Sequence, residues 1–334
     1  MIFQADYVKK FFCDGKICSS RCCRDWKIPV DEQALQNFSK LDDDELKNIL
    51  QNLEQDNFSA INLTADGFCS FLDKNDFLCK IQKTHGEFFL PKICRTFPRV
   101  IYKLSEDFFM QSMTLTCPVA AKIILLGEKI SFEEVDEIPN GFIIDFQDRI
   151  KKSAKNIIDL QMNAIKILQD KNISINVRLK KFCEFFGAKN FTKFDEEKSS
   201  AVLIEIFAEM YGAELNQSQK NNLCENFLQN RKINLSEKIL ENYLTNEFFM
   251  RCYPYAFLED ELTNCKIFVA SFKFLEFALI LTSIVKKNLQ NEDWINLICA
   301  VNDKIDHSKG GMNTIKNFVK ICDEKTFSET MLEE

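Results

Sequence analysis

"NCKIFVASFKFLEFALILTSIVKK", residues 264–287, is the most hydrophobic stretch of the chain. Its reading separates a membrane protein from a helical globular one. Lys273 and Glu276 interrupt it. A charge in the middle of a bilayer is costly, so the pattern reads as a buried amphipathic helix rather than a membrane span. The neighbouring sequence has the same texture. In "DRIKKSAKNIIDLQMNAIKIL" (148–168), Ile150, Ala154, Ile157, Ile158, Ile165 and Leu168 fall on one helical face. Similar apolar periods recur in 201–211, 218–230, 236–251 and 292–302. No fixed-length repeat links them, so the spacing predicts a compact helical domain, not a solenoid.

The first part is punctuated differently. Pro29, Pro91, Pro98, Pro118 and Pro139 lie there, and only Pro254 follows. Residues 29–53 read as one or two helices with Asp31 as N-cap. Residues 64–82 read as short extended pieces joined by turns at Asp66-Gly67 and Lys74-Asn75-Asp76. "PVAAKIILLG" (118–127) reads as a short helix opened by Pro118 and stopped by Gly127. The expected class is mainly α: an irregular, cysteine-rich, metal-binding N-terminal domain (1–126), a connection (127–149) and an all-helical C-terminal domain (150–334).

With 334 residues, 46% hydrophobic and 28% charged, the chain is long enough for two ordinary cores. Its net charge of −7 argues against a nucleic-acid partner, which favours a basic face, and would suit a lysine-bearing one. The start "MIFQADYVKKFF" lacks a signal-peptide pattern. A cytoplasmic setting, where thiols stay reduced, is therefore expected.

Eight of the fourteen cysteines are Cys13, Cys18, Cys22, Cys23, Cys69, Cys79, Cys94 and Cys117. Such thiols can form disulfides, fill a core or bind a soft metal. The cytoplasmic setting disfavours the first, and four thiols within residues 13–23 disfavour the second. Metal or cluster binding by a subset is the reading that remains. No C-x2-C pair points to an ordinary zinc ribbon. Cys183, Cys224, Cys252, Cys265, Cys299 and Cys322 are scattered singly among apolar residues and read as buried small hydrophobes. Of the two histidines, His85 is a ligand or a turn residue, and His307 reads as solvated. Neither a dinucleotide fingerprint nor a phosphate-binding loop occurs, and the spacing of a radical S-adenosylmethionine cluster is also missing.

The ordered fragments "FFCDGKICSSRCCRDWKIPVD" (11–31), "GFCSFLDKNDFLCKIQKTHGEFFLPKICRTFPR" (67–99) and "LTCPVAAKIILL" (115–126) together resemble the flagellin lysine-N-methylase family. That family belongs to a wider group of cysteine-cluster proteins described as zinc- or iron-chelating. The likeness continues through "ENYLTNEFFMRCYPYAF" (241–257). It implies methyl transfer from S-adenosylmethionine to surface lysines of flagellin. It also implies a [4Fe–4S]-type cluster, with zinc as the alternative, held by the eight cysteines named above. Relatives often carry "LC" where this chain has Leu90-Pro91, so one further thiol of the pattern is missing. Arg95 and Arg99, which bracket "TFP" after Cys94, would balance an anionic cluster, hold the donor's carboxylate, or brace the cysteine loop. Tyr243, Glu241 and Tyr253 are chemically able to line a lysine pocket, or else pack as ordinary helix residues. The reading from a different class is a non-enzymatic iron–sulfur or zinc sensor whose helical half binds a partner.

Overall fold

A computed structural model describes the chain apart from residues 19–20, 56–58, 137–140, 149, 151, 231–235, 287–288, 309 and 334. Pro139 and part of the expected connection lie outside the described residues. The second half folds as the periodicity predicts. Helices run over Ala154–Leu168, Ile175–Phe185, Glu196–Tyr211, Gln217–Asn230, Glu237–Met250, Glu261–Val285, Asn291–His307, Gly311–Ile321 and Glu324–Met331. Their starts are set locally. Ser153, Ser174, Asp195, Asp260 and Asp323 each accept a hydrogen bond from a first-turn amide, satisfying donors that a helix leaves unpaired.

The helix Glu261–Val285 is long and apolar enough to cross a membrane, yet most of it is enclosed by protein. It packs against the helices Ile175–Phe185, Glu196–Tyr211, Gln217–Asn230, Asn291–His307 and Gly311–Ile321. Phe268 meets Phe182 at 5.2 Å and Phe248 at 5.7 Å. Farther along, Phe277 meets Phe227 at 4.9 Å. Each phenylalanine buried this way stabilises the fold by about 1.5–3 kcal/mol. Lys273, the charge that interrupts the sequence, is buried but neutralised. Its Nζ donates to Asn176 Oδ1 at 2.7 Å and to Glu276 Oε2 at 2.9 Å.

The first part is less irregular than its composition suggests. It carries a five-stranded mixed sheet, in the order Phe142–Asp145, Arg99–Ser105, Phe108–Met113, Ile2–Ala5, Phe132–Val135. Two of these strands come from the stretch read as a connection. The N-terminal strand runs parallel to Phe108–Met113 and antiparallel to Phe132–Val135. Sequence patterning misses this sheet because its strands are short and bury polar side chains. Gln4, Gln111 and Ser112 are all buried and break the apolar alternation.

The helix Glu237–Met250 lies on this sheet. Phe249 packs on Phe132 at 4.4 Å and on Phe3 at 6.0 Å. Tyr7 hydrogen-bonds with Ser112 Oγ at 2.6 Å and with the Asn246 side chain. One apolar core consequently runs from Ala5 to Leu332, and a smaller one holds Ile28 to Leu90 beside the cysteines.

Burial pushes the thiols of Cys183 and Cys299 up to about 12, against about 8.5 in an unfolded chain. A folded value above the unfolded one means stability fully present below about pH 8.5 and lost as the pH climbs toward 12. The loss reaches up to about 1.4 kcal/mol per pH unit for each thiol. Urea unfolding of the metal-free protein should therefore show a lower midpoint at about pH 10.5 than at about pH 8. An unchanged midpoint would contradict this.

Candidate metal centre and adjoining cleft

The eight N-terminal cysteines arrive from separate short elements. Cys18 ends the helix Gly15–Cys18, and Cys22 and Cys23 lie in the 3-10 turn Arg21–Cys23. The strand-like segment at 67–69 is strapped to this turn. Cys69 N donates to Cys23 O and Asp25 N to Gly67 O, both at 2.8 Å. Gly67 has φ +82, and a Cβ there would come within 2.4 Å of Asp25 Oδ1. That left-handed backbone conformation favours glycine. The hairpin Leu72–Asp73/Leu78–Cys79 pairs Leu72 with Cys79, and Leu72 N donates to Cys69 O at 2.9 Å.

Cys94 sits on the helix Lys92–Thr96. Its start is tied to Asp31, which also caps Glu32–Phe38 as the sequence predicts. Cys117 caps the helix Pro118–Leu126, where Pro118 opens the first turn. The helix Gly15–Cys18 packs on that same helix.

These elements bring the thiols into one neighbourhood with Cys22 as its common member. Charge on Cys22 acts on Cys13, Cys69, Cys79, Cys94 and Cys117. Cys18 acts on Cys13 and Cys117. The Cys22 and Cys23 sulfurs lie 4.0 Å apart. That hydrogen bond, followed by burial, raises Cys22 well above the ordinary thiol range. Burial, then the surrounding thiols, raises Cys13 to about 11 and Cys94 well above the ordinary range. Burial likewise raises Cys117 to about 12, against local amide hydrogen bonds that lower it.

All fourteen cysteines are free thiols. Among the described residues, no three or more His, Cys, Asp or Glu side chains converge as a single metal ion would require. The donor set is chemically suited to a soft metal or cluster, because a cation among these thiols would offset the cost of ionising them. The sulfurs share a region without closing on one point.

Beside them lies a cleft of about 990 Å³. Cys18, Arg21, Cys22 and Trp26 form one part of its lining, and Asn296, Ala300, Asp303 and His307 another. The second group comes from one face of the helix Asn291–His307, at spacings of three, four and seven residues. Trp26 Nε1 donates to Cys22 O at 2.6 Å, so the indole is fixed to the thiol turn and remains partly exposed. Arg21 reaches Asp303 at 4.0 Å. Lys304 sits over the ring of Tyr211 at 5.0 Å, and burial raises the Tyr211 phenol.

The other residues singled out by sequence go elsewhere. Arg99 Nη2 donates to Phe11 O at 3.1 Å, and its guanidinium lies 5.0 Å over the Phe11 ring. Burial lowers its ordinary value, while Glu87 and Cys13 raise it. Arg95 Nη1 approaches Phe88 O at 3.5 Å. Neither arginine is among the cleft's lining residues. His85 ends the helix Lys80–His85 and packs on Phe89 at 5.3 Å. Tyr243 and Tyr253 are core residues, and Glu241 pairs with Arg178 at 2.9 Å.

Sequence reading also missed cleft residues. Arg21 and Arg24 flank the cysteines without a signal of their own, and Tyr211, Asp303 and His307 carry no motif. The i, i+4 spacing of Asp303 and His307 was the one available signal, and it is common on solvated helix faces.

The C-terminal domain description of the FliB lysine N-methylase family matches residues 119–331. The chain belongs to the FliB lysine N-methylase family. A CxxCxxCC description of a zinc- or iron-chelating domain matches residues 12–118. All eight N-terminal cysteines fall inside it, although the spacing here is Cys13-x4-Cys18-x3-Cys22-Cys23. The flagellar biosynthetic protein FliU of Salmonella muenchen is 34% identical over 140 residues, covering 38% of this chain and 82% of the relative. A lysine-N-methylase of Salmonella typhimurium is 27% identical over 235 residues, covering 66% of this chain and 55% of the relative. The chain thus spans about half the length of that lysine-N-methylase. No solved structure matches. The family's two matched regions meet at the cleft: Cys22 and Trp26 belong to the first, Tyr211, Asp303 and His307 to the second.

Proposed function

We propose that this chain is a protein lysine methyltransferase that works in the cytoplasm on flagellin, with S-adenosylmethionine as methyl donor in the 990 Å³ cleft. The observation that carries this reading is the position of the cleft. It lies on the seam between the two family-matched regions and shares Cys18 and Cys22 with the thiol neighbourhood. In this reading residues 1–126 supply the cluster-bearing wall and 150–334 the helical wall.

Cys13, Cys18, Cys22, Cys23, Cys69, Cys79, Cys94 and Cys117 are the proposed ligand set, a subset of which would hold a [4Fe–4S] cluster or, as the alternative, zinc. When bound, such a centre supplies charge and rigidity to the thiol turn. Arg99, electrostatically coupled to Cys13, would balance the charge of an anionic cluster. Arg95 on the Cys94 helix would serve the same end.

Within the cleft the lining chemistry suits the donor. Trp26 offers an aromatic face to a purine, and Arg21 offers a guanidinium group to a carboxylate. The lysine must arrive as a neutral amine, although its ordinary pKa is about 10.4. Positioning of amine and donor then supplies much of the acceleration.

Mass spectrometry of flagellin after incubation with metal-loaded protein and S-adenosylmethionine should show added CH2 on lysines. Unmodified flagellin, with a loaded centre and bound donor, would sink the reading. Trp26→Ala should weaken donor binding about two- to tenfold in calorimetry, since a lost ring stack is worth ~0.5–1.5 kcal/mol. Iron and sulfide content against zinc content separates the two proposed centres.

A further inference from the structure

Resting on the methyltransferase reading, we propose that His307 accepts the proton of the incoming lysine ε-ammonium, and that Asp303, one helical turn earlier, holds that ammonium. Both line the cleft from the helix Asn291–His307. Four residues apart, they share a helix face.

The other groups around the cleft are poorly placed to take a proton. Burial raises the Tyr211 phenol and so keeps it protonated, with the Lys304 ammonium already over its ring. Cys18 and Cys22 belong to the metal centre in the proposed function. Arg21, Arg24 and Lys304 are cations with no acceptor. Asp25 is engaged by Arg24 at 3.0 Å.

Two lining groups remain. Asp303 meets Arg21 only at 4.0 Å and leaves about half of its side chain exposed. That carboxylate can take a second cation. His307 is an exposed imidazole, the side chain that exchanges a proton near neutrality. It stands in the last turn of its helix.

The step balances simply. One N–H bond of the ε-ammonium breaks and its electron pair stays on Nζ. The proton binds the unprotonated ring nitrogen of His307, giving an imidazolium that releases it to bulk water through its exposed edge. The neutral amine is then able to attack a sulfonium methyl.

The test is single-turnover methylation of flagellin by metal-loaded full-length protein from about pH 5.5 to 9. Wild type should lose rate on the acid side, as the imidazole protonates. His307→Ala should slow methylation about 10²- to 10⁴-fold, lose that acid limb, keep donor affinity and melting temperature, and regain rate with added imidazole. Asp303→Asn should raise the KM for flagellin more than it lowers kcat. If wild type methylates while His307→Ala keeps its rate and pH profile, this inference alone is overturned. A slow His307→Ala that imidazole does not restore overturns it as well. A wild type that methylates no lysine overturns the methyltransferase reading, and this inference with it.

Discussion

Cys22→Ser is expected to yield a protein that no longer retains iron or zinc through desalting and no longer methylates flagellin, whereas Cys224→Ser keeps its metal. Cys22 is the one thiol whose charge reaches Cys13, Cys69, Cys79, Cys94 and Cys117 together, and it lies 4.0 Å from Cys23. A thiolate-bound structural metal contributes about 10–16 kcal/mol. Losing one of about four ligands should cost several kcal/mol, so affinity falls more than about a hundredfold. Cys94→Ser should behave alike, because Cys94 senses Cys22, Cys79 and Cys69 together. Cys224 faces Ser200 Oγ at 2.8 Å within the helical half. Metal analysis and the visible spectrum of anaerobically purified variants decide the matter. Full metal content in Cys22→Ser would remove this residue from the ligand set.

Arg178→Met should destabilise the fold by about 3–5 kcal/mol, the usual cost of leaving a buried charge without its partner. Arg178 is fully buried. It donates to Glu241 Oε2 at 2.9 Å, to Glu237 Oε1 at 2.7 Å and to the carbonyls of Ile173 and Leu168 at 3.0 and 3.3 Å. It therefore ties the helix Glu237–Met250 to Ile175–Phe185 and to the end of Ala154–Leu168. Glu241, also buried, would be left, among the described residues, with Lys171 at 3.8 Å. Urea unfolding measures the loss. A midpoint shift worth less than about 1 kcal/mol would mean that the core relaxes enough to hydrate Glu241.

Glu241 also shows how far a sequence carries. Its carboxylate, in the segment 241–257 that resembles the family, made it a candidate for a lysine pocket, and nothing in the local pattern reveals Arg178 arriving from another helix. Helix placement, in contrast, was legible. Ile157, Ile165 and Leu168 are buried on the predicted face, and Asp31 and Pro118 stand where the helices begin. The sheet was not legible. Ile2–Ala5 pairs with Phe108–Met113 and Phe132–Val135, so its identity as a strand depends on partners far along the chain.

Sequence by itself determined the helical second half and the inventory of thiols. Period, capping and side-chain chemistry act over a few residues, and a chain carries them wherever it folds. Tertiary structure decided which groups face one another. It set Trp26 and Arg21 of the thiol turn against Asp303 and His307 of a helix near the other end, and made a cleft between them. Such contacts follow from how apolar faces pack, a sum over the whole core that no local spacing contains.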